Sequence, residues 1–245
     1  MKRIKVKATQ SRMDQFTNRK SGFKWSHKAV TLALLFGAIV SIVAQGKSPS
    51  LAGAVEARNP ARTSKLLSNQ IDVNVPQVDG MTALHWAAYH DNWELGQRLL
   101  DLGANASAQN RYGITPLYLA CVNGNAKLVR MLIESGADPD TTTSGDETVL
   151  MTAARTGDIG AVTSLINAGA EIDAKERNGQ TAAMWAAAEG HSDVIQALLS
   201  AGADFQSPLE RSGYTPFFFA VREGRTEVVR MLLNAGASIN AVMKP

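Results

Sequence analysis

Cysteine is almost absent from the sequence, since Cys121 is the single cysteine among 245 residues. One thiol cannot form an internal disulfide or a multi-cysteine metal site, so a disulfide-stapled scaffold and a zinc finger are excluded. The chain is 45% hydrophobic and 19% charged, which is typical of a folded globular protein rather than a disordered or collagen-like one.

The sequence also lacks the short motifs that mark common active sites. It contains no Gly-x-Ser-x-Gly elbow, no phosphate-binding loop and no dinucleotide-binding fingerprint. His27 lies in the N-terminal segment, and His85, His90 and His191 are not arranged with a second histidine or a carboxylate as in zinc proteases. We therefore predict no catalytic residue, no metal site and no cofactor.

No cluster of lysine or arginine occurs after residue 28. The first 28 residues hold nine of the 25 basic residues and one acidic residue, Asp14. From Lys47 onward, 16 basic residues stand against 21 acidic ones, a net charge of −5. Because such a body repels a polyanion and offers no basic stripe, we do not expect nucleic-acid binding.

One uncharged apolar run stands out at residues 29–44, which read AVTLALLFGAIVSIVA. It follows a basic lead and meets polar residues on its far side, which is the layout of a secretory signal. As a helix it would span about 24 Å, less than the ~30 Å hydrocarbon core of a bilayer. This favours a signal peptide cleaved after Ala44 or after Gly46.

Alternatives stay open for residues 1–46. The apolar run at 29–44 can instead be an uncleaved signal anchor or a buried core helix, and translation starting at Met13 would shorten the basic lead. Export by either route keeps the basic end in the cytoplasm and sends the acidic body across the membrane. We expect a periplasmic or secreted protein, or one held in the inner membrane by residues 29–44 alone.

The rest of the sequence repeats with a period of 33 residues. Five threonines open similar blocks at spacings of 33, 33, 33 and 34 residues: Thr82, Thr115, Thr148, Thr181 and Thr215. Each block ends in a Gly-Ala pair: Gly103-Ala104, Gly136-Ala137, Gly169-Ala170, Gly202-Ala203 and Gly236-Ala237. A fixed period of this size indicates a stack of similar units.

Local signals predict two short helices in each unit. Threonine can cap the first helix through its hydroxyl, Pro116 and Pro216 occupy the first helical position, and glycine ends the second helix. Apolar residues recur at helical spacing in the second helices, as in Val129, Leu132 and Ile133. A single unit cannot cover that apolar stripe, so we expect neighbouring units to stack on it.

The blocks resemble ankyrin repeats. Residues 82–88 read TALHWAA and residues 115–120 read TPLYLA, similar to the family signature Thr-Pro-Leu-His-x-Ala. The resemblance covers about residues 51–240 and implies an all-α ankyrin solenoid of helix-turn-helix units with hairpin tips. We place the repeat domain at residues 47–245, with about six units near 47–78, 79–111, 112–144, 145–177, 178–211 and 212–245.

The resemblance gives structural roles to two residues that chemistry alone would single out. His85 occupies the histidine of the signature, which the family uses to hydrogen-bond between units. Cys121 falls in an alanine-type position facing the stack, where we expect a buried, inert thiol.

The resemblance also implies where a partner binds, because partners of ankyrin proteins usually lie in the concave groove formed by the tips and the first helices. Aromatic and arginine side chains, which dominate interface energies, are frequent at these positions. We predict that ten residues form the partner-binding surface: Met81, Trp86, Tyr89, Tyr112, Ile114, Arg155, Trp185, Tyr214, Phe219 and Arg222. The alternative for each aromatic residue is packing against its neighbours.

We therefore predict a non-enzymatic scaffold that binds a partner protein through a rigid groove outside the cytoplasm. An effector secreted to act on a host protein is the alternative, and a component of an enzyme is a third. The sequence-based expectation is that Trp86→Ala combined with Trp185→Ala lowers partner affinity while leaving cooperative unfolding nearly intact.

Overall fold

Twelve α-helices account for most of the chain that the computed structural model describes, residues 50–69 and 71–239. In chain order they are α1 (Leu51–Glu56), α2 (Pro60–Ser68), α3 (Ala83–Tyr89), α4 (Trp93–Asp101), α5 (Pro116–Asn123), α6 (Ala126–Glu134), α7 (Val149–Thr156), α8 (Ile159–Asn167), α9 (Ala182–Glu189), α10 (Ser192–Ser200), α11 (Pro216–Arg222) and α12 (Thr226–Asn234). Within these residues the β-structure amounts to one isolated bridge, between Thr142 and Thr148. The all-α prediction is confirmed for this part of the chain.

The helices stack in two layers. The first helices of the pairs form one row, in which α1, α3, α5, α7, α9 and α11 each contact the next. The second helices from α4 to α12 form the other row, and each first helix also packs on its own second helix. The main interfaces between the described helices are therefore made within one pair or between neighbouring pairs, as expected of a solenoid.

The apolar core lies between the two rows. The same position of five successive second helices is completely buried, and it is occupied by Leu99, Leu132, Leu165, Leu198 and Leu232. Fully burying one leucine side chain contributes roughly 2 kcal/mol, so this column alone outweighs any polar contact in the stack. Neighbouring helix pairs shield this column from water, so a single pair would leave its leucine exposed.

Threonine begins each of the helices α3, α5, α7, α9 and α11, as predicted. The hydroxyls of Thr82, Thr115 and Thr148 accept the backbone N–H three residues ahead. The prediction was wrong for Thr181 and Thr215, whose hydroxyls make no capping hydrogen bond. The hydroxyl oxygen of Thr181 is buried without a partner, so local sequence preference does not decide cap geometry here.

The ends of the second helices follow the sequence closely. The glycines of the five Gly-Ala pairs have φ between +84° and +95°, a left-handed conformation that glycine adopts without steric cost. Pro116 and Pro216 occupy the first turn of their helices, where a missing N–H costs nothing.

The predicted N-terminal lead at residues 1–46, including the apolar run at 29–44, lies outside the described residues. In the part of the chain that is described, none of the helices combines the length and the apolar character needed to cross a bilayer.

Candidate functional site

Hairpin tips connect the helix pairs. Across the base of each tip, the N–H of one residue donates to the carbonyl of another at 2.8 to 3.0 Å. These pairs, donor first, are Gln77 and Met81, Asn110 and Ile114, Thr143 and Glu147, Glu176 and Gln180, and Leu209 and Tyr214. Asparagine and carboxylate side chains reinforce the turns: Asn110 Oδ1, for example, accepts the N–H groups of Tyr112 and Ile114.

Some neighbouring tips are joined to each other through the backbone. The N–H of Arg111 donates to the carbonyl of Asp79 at 3.0 Å, and that of Arg177 donates to the carbonyl of Gly145 at 3.2 Å. The guanidinium of Arg177 also donates to the carbonyl of Ser144 at 2.7 Å. These two pairs of neighbouring tips are thereby held in register, which fixes the spacing of the side chains that they carry.

Three of the ten predicted binding residues are buried under the tips. Met81, Trp86 and Phe219 are 4%, 6% and 4% exposed. The indole N–H of Trp86 donates to Gln77 Oε1 at 2.8 Å, and Phe219 packs edge-on against Tyr214 with 5.6 Å between ring centroids. Trp86 and Phe219 thus join the first and last tips to the helices that follow them, and all three buried side chains offer a partner little surface.

The other seven predicted residues keep part of their surface accessible. Tyr112 at a tip is 51% exposed, and the side chain of Arg222 at the end of α11 is 50% exposed. The remaining members are half-buried, and we call the whole set the tip surface: Tyr89, Tyr112, Ile114, Arg155, Trp185, Tyr214 and Arg222.

Arginine stacks on aromatic rings at three places along the tips and first helices. Arg222 lies 4.9 Å from the ring centroid of Phe219 and 5.7 Å from that of Tyr214. Arg155 lies 5.2 Å from the ring centroid of Trp185. Such stacking orders long side chains before a partner arrives, which reduces the entropy lost on binding.

The third stack involves Arg111, which is not among the ten predicted residues. Its guanidinium lies 5.1 Å from the ring centroid of Tyr112. Val78, at the preceding tip, is 96% exposed, and the backbone contact between Arg111 and Asp79 brings these two tips together. The tip positions of Val78 and Arg111 are readable from the 33-residue period, but their exposure is not.

A largely buried ion pair lies in the middle of this region. Arg155 Nη1 is 2.8 Å from Glu147 Oε1, and the hydroxyl of Thr152 donates to the same oxygen at 2.9 Å. Burial, followed by the charge of Glu147, raises the pKa of the nearby Tyr118 phenol. The Nε of Arg155 and the indole N–H of Trp185 are buried without an acceptor among the described residues. The carboxylate of Glu147 is therefore already paired with Arg155 and Thr152.

The histidines and the cysteine take structural positions. His85 is fully buried: its Nε2 donates to the carbonyl of Ile114 at 2.9 Å, and its Nδ1 accepts the N–H of Thr82 at 3.2 Å, so the predicted bridge between units is confirmed. His90 Nε2 and His191 Nε2 each lie 3.1 Å from a carbonyl of the preceding pair. Cys121 is fully buried, and burial raises the pKa of its thiol.

The described residues contain no group of three histidine, cysteine, aspartate or glutamate side chains placed to hold a metal ion. What the arrangement offers instead is a row of ordered aromatic and arginine side chains carried on a stack of helix pairs.

A stack of helix pairs joined by hairpin tips defines a helical repeat solenoid, a class in which each unit contacts only its neighbours. The chain belongs to the ankyrin repeat family, because the family model for ankyrin repeats (3 copies) matches residues 51–143 and again residues 146–243. Ankyrin repeats indicate a protein–protein interaction module, and the family consists generally of non-enzymatic scaffolds. The comparison with curated proteins finds no match to this chain.

Proposed function

We propose that this chain is a non-enzymatic module that binds a partner protein through the tip surface, outside the cytoplasm. The single observation that carries the binding site is the ordered row of arginine–aromatic stacks at Arg111–Tyr112, Arg155–Trp185 and Arg222–Phe219. Tyrosine, tryptophan and arginine are the residues most enriched among the anchors of protein interfaces.

The mechanism is steric. The tips are fixed by their own hydrogen bonds and by buried anchors such as Trp86, so a partner meets side chains that already have one arrangement. Binding then orders few groups on this chain, and affinity comes from contacts at the exposed members, chiefly Tyr112 and Arg222.

The location outside the cytoplasm is supported by the sequence of residues 1–46. A basic lead followed by the apolar run at 29–44 is the layout of an export signal or anchor, and it precedes a body with a net charge of −5. We propose that the repeats act in the periplasm or beyond it, either released from this segment or tethered by it.

The test is a cross-linking pull-down from the native cell envelope with tagged full-length protein. The informative variant is Tyr112→Ala with Arg222→Ala, because both side chains are about half exposed and their removal leaves the core intact. The matched control is Arg130→Ala with Arg230→Ala, since both are exposed arginines on the second helices of the pairs that carry Tyr112 and Arg222, and neither belongs to the tip surface.

We expect one protein to be captured by the wild type and by the control, and lost or reduced at least about tenfold with the informative variant. Equal capture by all three baits would remove the tip surface from the contact. The mass of the recovered bait reports separately whether residues 29–44 are cleaved, and an intact bait found only in the cytoplasmic fraction would contradict export.

A further inference from the structure

The helices of this chain do not all begin in the same way. Among the described helices, α1 to α8 start after a residue whose side chain accepts a backbone N–H of the first turn: Ser50, Asn59, Thr82, Asn92, Thr115, Asn125, Thr148 and Asp158. The last four helices, α9 to α12, follow Thr181, His191, Thr215 and Arg225, and none of these makes a side-chain cap. The change falls at one boundary, between α8 and α9.

At α10 and α12 the missing caps have a visible cause. The capping position of the second helices is held by Asn92, Asn125 and Asp158, and then by His191 and Arg225. His191 Nε2 instead donates to the carbonyl of Arg155 at 3.1 Å, and Arg225 Nε donates to the carbonyl of Ala188 at 2.8 Å. Both side chains reach back to the preceding pair and away from their own helix.

In earlier pairs a different residue forms this bridge. Two positions before the cap, the amide of Asn123 donates to the carbonyl of Ala88 at 2.8 Å, and the hydroxyl of Thr156 donates to the carbonyl of Cys121 at 3.2 Å. Glutamates occupy the corresponding positions of the last two pairs, at 189 and 223. An ionised carboxylate only accepts hydrogen bonds and cannot donate to a carbonyl. The residue at the cap therefore takes over the bridge. His191 does so in place of capping its helix, and the guanidinium of Arg225 has no acceptor with which to cap one.

The first helix after the boundary, α9, also has unpartnered polar groups and an alanine-rich sequence. The hydroxyl of Thr181 and the indole N–H of Trp185 are both buried without a hydrogen-bond partner among the described residues. Alanine also fills much of α9, at Ala182, Ala183, Ala186 and Ala187, so this helix buries little apolar area per residue.

We propose that helices α9 to α12 form a separate, weaker folding unit, which opens while α1 to α8 stay folded. In a solenoid, stability is close to a sum over units and their interfaces, so a change in local terms at one boundary divides the stack. The tip surface is divided as well, because Trp185, Tyr214 and Arg222 belong to the weaker part.

Native-state hydrogen exchange on the full chain, read by mass spectrometry, tests this directly. Each missing cap corresponds to about fivefold in the opening equilibrium, so the two in one pair give roughly 25-fold. We expect amides of α9 and α10 to exchange at least about tenfold faster than those of α5 and α6, although both pairs have a neighbour on each side. Equal protection of these two pairs would overturn the proposal.

A transplant of the earlier arrangement provides the matched variant. Asn123-Gly124-Asn125 supplies both bridge and cap for α6, and Glu189→Asn with His191→Asn recreates that tripeptide before α10. We expect exchange in α10 to slow about fivefold, with α6 unchanged as the internal reference.

The reverse variant is Asn125→Ala, which removes the cap of α6 and should accelerate exchange there about fivefold. If the Glu189→Asn/His191→Asn variant fails to fold, the wild-type comparison and Asn125→Ala still test whether capping sets the order of exchange. Protection that follows distance from the chain end, whichever caps are present, would show that fraying and not capping sets the order.

Discussion

Trp86→Ala is the substitution for which the structure changes the sequence-based expectation most. The Trp86 side chain is 6% exposed, donates to Gln77 Oε1 at 2.8 Å, and contacts the rings of Tyr89 and His90 at centroid distances of 5.5 and 5.8 Å. Replacing a buried tryptophan with alanine costs about 3–5 kcal/mol through lost burial and the cavity left behind. That is a large part of the 5–15 kcal/mol that holds a typical domain folded.

Urea unfolding followed by far-ultraviolet circular dichroism measures this cost. With a slope of about 2 kcal/mol per molar urea, the midpoint should fall by roughly 2 M. Tyr112→Ala is the control, since its half-exposed ring at a tip should cost less than about 0.5 kcal/mol. If both variants shift the midpoint equally little, Trp86 is not a packing residue, and a loss of binding in Trp86→Ala would then report the interface itself.

Three further outcomes follow from buried groups and backbone geometry. Burial lowers the pKa values of His85 and His90 below the usual 6.5, so the unfolded chain binds these protons more tightly and the free energy of unfolding should fall as the pH drops below about 6.5. His85→Gln should weaken this pH dependence in urea unfolding at pH 7, 6 and 5, and an unchanged dependence would show that His85 does not cause it. The buried thiol of Cys121, whose pKa is raised, should react with Ellman's reagent more than about 100-fold slower in the native protein than in urea, and rapid native labelling would contradict its burial. Gly136→Ala, at φ +89° with open space around a new Cβ, should lower the free energy of unfolding in urea by about 1–2 kcal/mol. Gly80→Ala, at φ +88°, would also place its Cβ 2.8 Å from the backbone of Asn110 in the neighbouring tip, so it should cost at least ~1 kcal/mol more, and equal costs would mean that the tips are not in contact.

Much of the fold could be read from single residues because their effects are local. The 33-residue spacing of Thr82 and its successors marked the helix starts, and the glycines of the Gly-Ala pairs marked the helix ends through their left-handed conformation. The bridge from His85 to the carbonyl of Ile114 followed from the family signature. The predicted unit boundaries and the N-terminal export segment at residues 1–46 stay predictions.

The exposure of the candidate binding residues could be predicted less well from the sequence, because it depends on which groups of the neighbouring unit cover each side chain. The period put Trp86, Phe219 and Tyr112 at similar positions of the tips and first helices, yet the first two are buried and the third is half exposed. Arg155 was identified as a contact residue, but its pairing with Glu147 depends on how a tip lies over its helix.

The sequence by itself determined the repeat, its helices and the family, since these depend on hydrogen bonds and apolar spacing within some 33 residues of chain. Only the tertiary structure decided which aromatic residues are anchors and which are surface. It alone also showed that His191 and Arg225 donate to backbone carbonyls of the preceding pair. Both outcomes are choices between partners that lie in different units, and a one-dimensional pattern does not contain the distances that settle them.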